Sequence, residues 1–117
     1  MRKILLALSL VALAACDGAS KTGADSYTFG KPLFEKSEVK IKIVTYDNKK
    51  LFLEAGKKAG VNNPNLAAFT LIPVDPTDNT CTVHIMSPKV SYEPEWYGHE
   101  FMHCFYGQWH TSNEDRQ

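Results

Sequence analysis

Residues 98–110, GHEFMHCFYGQWH, hold three of the four histidines of this 117-residue chain and one of its three cysteines. Within them His99, Glu100 and His103 spell H-E-x-x-H. On a helix that turns about 100° per residue, side chains four positions apart differ by only about 40°, so both imidazoles converge on one ion. Glu100 is turned about 100° from His99, beside the ion rather than on it. A carboxylate there can act as the base for a zinc-activated water. The competing reading is a crowded core helix whose histidines are satisfied without metal.

The flanking elements decide whether such a helix can be held. EVKIKIVTYD, residues 38–47, alternates Val39, Ile41 and Ile43 against Lys40 and Lys42, which predicts a half-buried strand. Asp47 can cap an amphipathic helix in which Leu51, Phe52, Ala55 and Ala59 recur on one face and Gly60 gives the stop. A second strand is expected over 66–75 and a third over 81–87. In that third strand Cys81, Val83 and Ile85 share a face and Thr82, His84 and Met86 the other. The closing helix should run from about Glu95 to Tyr106, with Pro94 at an early helical position and Gly107 as its stop. Phe101, Met102 and Phe105 predict that this helix buries the side away from the metal. Buried histidines and a buried carboxylate need partners, and zinc would satisfy them together.

With these residues in place, the chain resembles the zincin metallopeptidases. The layout likeness runs over about residues 38–110, whereas the specific signal is confined to 99–110. The resemblance implies an α+β fold, a three-stranded mixed sheet with a backing helix and a C-terminal active-site helix. It also implies hydrolysis of peptide bonds, with Glu100 catalytic and zinc as cofactor. A third protein ligand is then required. His110 is the candidate, with Gly107 letting the chain swing back to the metal, and Glu114 is the alternative. The string H-E-x-x-H-x-x-x-G-x-x-H is one residue longer than the metzincin signature, so the subfamily stays unassigned. Residues 81–87 are expected as an edge strand that binds an extended peptide by strand addition, presenting Thr82 and His84.

The N-terminus sets the compartment. MRKILLALSLVALAAC begins with Arg2 and Lys3, continues through an apolar run from Ile4 and ends on Ala14, Ala15 and Cys16. That is a secretory signal, and LAAC resembles the lipobox of bacterial lipoproteins. Residues 1–15 are thus expected as a signal peptide and Cys16 as the lipidation site. Residues 16–30 read as a flexible tether and 31–117 as the metal-binding domain. Asp17 leaves inner-membrane retention open. In such an oxidising compartment Cys81 and Cys104 are expected to pair, the alternatives being two buried thiols or Cys104 as a metal ligand.

Of 13 basic and 13 acidic side chains, loss of Arg2 and Lys3 with the leader would leave 11 basic, and no basic face suggests nucleic acid. The expected function is a lipid-anchored zinc peptidase facing the periplasm, with peptides or envelope proteins as substrates and the membrane engaged through the anchor. The alternative is a non-catalytic zinc-binding or interaction lipoprotein on the same scaffold.

Overall fold

The computed structural model describes residues 22–110; the leader, Cys16, Asp17 and Glu114 lie outside them. Three strands and two helices follow in the order β1 (Lys40–Tyr46), α1 (Lys49–Lys58), β2 (Ala68–Leu71), β3 (Thr80–Met86) and α2 (Pro94–Tyr106). The sheet order is β1-β3-β2. β3 runs parallel to β1, with Ile41 opposite Cys81, and antiparallel to β2, with Thr70 opposite Val83. The fold is α+β with a three-stranded mixed sheet.

β3 is therefore the central strand, which corrects the expectation that 81–87 forms an edge. Thr82 lies between Lys42 of β1 and Leu71 of β2, and His84 between Val44 and Phe69. Both sides of β3 are already hydrogen-bonded, so no peptide can add to it. Alternation along a strand reveals which side chains share a face but not which strands become its neighbours. Here β1 and β2, joined through α1, end on opposite sides of β3 as the two outer strands.

A helix covers each face. Cys81, Val83 and Ile85 of β3 join Ala68 of β2 and Trp96 and Cys104 of α2 in one core cluster. Phe52 of α1 packs with Phe69, Met86 and Leu66 in the other. Asn48, one residue later than expected, caps α1 by accepting from Leu51 N–H at 3.0 Å. The buried line of α1 runs through Phe52 and Gly56, and Leu51 stays exposed.

The buried face of α2 differs from the expected one. Trp96, His99, Glu100, His103 and Cys104 are buried, whereas Phe101, Met102 and Phe105 are only half-buried. The polar face of the motif is turned onto β2 and β3, not away from the core. Ranking faces by hydrophobicity fails here because a site that satisfies its polar groups internally can be buried as deeply as an apolar stripe. Cys104, next to His103, is bonded to Cys81 at the start of β3 with Cα atoms 5.7 Å apart, which clamps α2 to the central strand.

Residues 22–30 also depart from the expected tether. Thr22 and Thr28 form an antiparallel bridge, Gly23 N–H donates to Tyr27 O at 3.0 Å, and Gly30 N–H donates to Trp109 O at 2.9 Å. Tyr27 is buried in the same cluster as α2. The small polar composition of this stretch concealed two residues, Asp25 and Tyr27, whose partners lie some seventy positions downstream.

Candidate metal centre

α2 begins at Pro94, whose missing N–H is harmless at the first helical position. It ends at Gly107, where φ is +71° and an added Cβ would lie 2.9 Å from the Phe34 ring. Only glycine fits both the left-handed backbone and that close approach. The chain then reverses, bringing Trp109 and His110 back against the helix.

The three imidazoles meet at their Nε2 atoms. His99 and His103 are 3.3 Å apart, His103 and His110 3.1 Å, and His110 and His99 3.2 Å. Four-coordinate zinc with Zn–N bonds of about 2.0–2.1 Å places its nitrogens about 3.3 Å from one another. The nearly equilateral triangle matches one face of that tetrahedron. His99, His103 and His110 form a buried cluster that could hold a metal ion.

Hydrogen bonds at the far side of two rings fix which nitrogen faces the centre. His99 Nδ1–H donates to Asp25 Oδ2 at 2.6 Å, and His103 Nδ1–H donates to Gly107 O at 2.8 Å. In neutral imidazoles that arrangement leaves both Nε2 atoms as lone-pair ligands. Burial lowers the pKa of His103 to about 4, more than the Gly107 hydrogen bond raises it, so the ring is neutral at pH 7.

Glu100 sits beside this triangle. It is fully buried, and Thr70 of β2 donates to its Oε1 at 2.5 Å. Oε2 lies 3.9 Å from His99 Nε2 and has no hydrogen-bond partner among the described residues. Burial raises the Glu100 pKa to about 8, opposed by the Thr70 hydrogen bond. A cation in the triangle would act in the opposite direction, favouring the ionised carboxylate. Among the described residues, Trp109 Nε1 is a second buried side-chain atom without a hydrogen-bond partner, and its ring lies 5.0 Å from His99 and 4.7 Å from His110. Orphaned polar atoms are rare in protein interiors, and Glu100 Oε2 lies at the edge of the histidine triangle.

The expected residues do not all reach this place. His84 and Thr82 lie on the α1 side of the sheet; His84 stacks on Phe69 at 4.5 Å, bonds Tyr46 Oη through Nδ1 at 2.8 Å and has no part in the cluster. Cys104 is committed to the disulfide and is not a ligand. Four residues went unnoticed as contributors in the sequence. Asp25, Tyr27 and Trp109 carry no spacing signal, but Thr70 does. It shares a face with buried Ala68, and a hydroxyl on that face needs a partner.

The centre is enclosed. His99 and His103 are each 2% exposed and His110 9%. The Tyr27 ring lies 4.6 Å from that of His99 and 4.4 Å from that of His110. Two clefts flank Tyr27, one of about 520 Å³ reaching His110 and one of about 500 Å³ reaching His99. Comparison with protein-family models, with curated proteins and with solved structures gives no match.

Proposed function

We propose that this protein is a zinc-dependent peptidase of the cell envelope, with His99, His103 and His110 as ligands and Glu100 as the base. The observation that carries this reading is Glu100 Oε2, a buried carboxylate oxygen without a hydrogen-bond partner among the described residues, 3.9 Å from His99 Nε2. His99, His103 and His110 would hold zinc, which would supply Lewis acidity and make a water at the site more acidic. Glu100 takes a proton from the attacking water at Oε2 and later returns it to the leaving amine. Thr70 holds Oε1, so the carboxylate keeps one orientation through both transfers. Asp25 and the Gly107 carbonyl keep His99 and His103 in the ligand tautomer.

The disulfide suits an extracytoplasmic location. Together with the leader and the LAAC sequence, it supports a periplasm-facing lipoprotein anchored through Cys16. Peptides or envelope proteins are then the accessible substrates. Intact mass of the membrane-extracted protein checks the anchor, since Cys16→Ser should remove the lipid.

One observation favours a second reading, a structural zinc in a non-catalytic lipoprotein: the ligands are buried and Tyr27 covers them. Zinc analysis and a peptide-hydrolysis screen on parent and Glu100→Gln separate the two. The catalytic reading expects one zinc per chain in both proteins and turnover only in the parent. Zinc without turnover in either, with unfolding on chelation, supports the structural reading.

A further inference from the structure

We propose that Asp25 is a positioning residue for the metal centre, and that metal loading and seating of the strap formed by residues 22–30 are one coupled equilibrium. This rests on the three-histidine site described above and adds to it the segment that closes it.

A single carboxylate joins the two. Asp25 Oδ1 accepts from Tyr27 N–H at 3.0 Å, which holds the strap's own turn, while Oδ2 accepts from His99 Nδ1–H at 2.6 Å. The turn passes through Ser26 at a φ of +73°, a left-handed conformation that a non-glycine residue adopts only when its surroundings hold it. Downstream, Tyr27 lies against the His99 and His110 rings, and Gly30 N–H reaches Trp109 O, beside His110. The strap thus touches two of the three ligands directly and the third ligand's neighbour in space. Its seating therefore depends on where those rings are held.

A cation at Nε2 withdraws electron density from the His99 ring and makes Nδ1–H a stronger donor to Asp25. Conversely, the carboxylate fixes the ring in the tautomer whose Nε2 lone pair faces the cluster. Linkage makes the two effects equal: the factor by which a seated strap tightens metal binding is the factor by which metal tightens the strap.

The test uses zinc alone as the probe, on parent, Asp25→Ala and Asp25→Asn. Zinc Kd is measured by competition with a chromophoric chelator, and exchange of the Gly30 amide by NMR with zinc and with chelator. The coupling predicts a loss of zinc affinity of about 10- to 100-fold for Asp25→Ala, with the isosteric Asn nearer the tenfold end. Zinc should slow Gly30 exchange in the parent by a similar factor and much less in the alanine variant. Equal melting temperatures of the chelated proteins would show that the loss acts through the metal and not through general stability. A variant Kd within twofold of the parent, or Gly30 exchange in the parent indifferent to zinc, overturns the proposal and leaves the site intact. A parent that binds no zinc overturns the metal centre itself. If Asp25→Ala does not fold, Asp25→Asn decides by the same readings.

Discussion

Thr70 of β2 donates to Glu100 Oε1 of α2 at 2.5 Å, and this bond turns the second carboxylate oxygen toward the histidine cluster. It ties β2, one of the two outer strands, to the residue proposed to act as base. Thr70→Val keeps the shape and removes the donor. The expected outcome is a stability loss of about 1–3 kcal/mol in urea unfolding, because a buried carboxylate oxygen is left unsatisfied. With hydrolysis as the readout, the acidic limb of the kcat/KM profile should move to higher pH, since this bond lowers the Glu100 pKa.

The metal-free protein should have an unusual dependence of stability on pH. Glu100 is raised from 4.5 to about 8, so its contribution is fully present below pH 4.5 and is lost as pH rises toward 8. His103 is lowered from 6.5 to about 4, so its contribution is present above pH 6.5 and is lost as pH falls to about 4. The two slopes oppose each other between 4.5 and 6.5, and of these two groups only Glu100 contributes a slope between 6.5 and 8. Its steepest value is about 1.4 kcal/mol per pH unit. Denaturant unfolding in chelator should show that decline in the parent and a flatter profile in Glu100→Gln.

The disulfide closes a loop with a sequence separation of 23. On the chain-entropy account such a loop contributes about 3 kcal/mol. The double variant Cys81→Ala, Cys104→Ala should unfold at lower urea by that amount. Zinc affinity should fall as well, because Cys104 adjoins His103 and the bridge is what fastens this turn of α2 to β3. An unchanged urea midpoint would contradict the clamp.

Gly107 carries two demands at once, a φ of +71° and a carbonyl that accepts from His103 Nδ1–H. Alanine there would meet Phe34 at 2.9 Å and Leu33 at 3.0 Å. Gly107→Ala should cost about 1–3 kcal/mol in thermal or chemical unfolding. It should also weaken zinc binding, whereas Gly60→Ala, strained in φ but with nothing within 4 Å of the new Cβ, should leave zinc binding unchanged.

His84 supplies the contrast among histidines. It lies on the α1 face, stacked on Phe69 and bonded to Tyr46. His84→Ala should leave zinc stoichiometry at the parent value, and His99→Ala, His103→Ala or His110→Ala should abolish it. Metal analysis after dialysis against a weak chelator distinguishes these outcomes.

The sequence by itself determined the local chemistry: two histidines and a glutamate at helical spacing, a proline and a glycine to bound their helix, and alternation that assigns side chains to strand faces. Those features follow from periods of 3.6 and 2 residues and from backbone restrictions that act within a few positions. What the tertiary structure decided acts over longer distances. It made β3 the central strand, because strand order depends on how α1 crosses the sheet and not on any strand's own pattern. It turned the polar face of α2 inward, because Thr70, Asp25 and the Gly107 carbonyl satisfy groups that would otherwise forbid burial. And it drew Asp25 out of an apparently featureless stretch to a ring 74 residues away, a contact that no local spacing encodes because its partner exists only once the chain has folded.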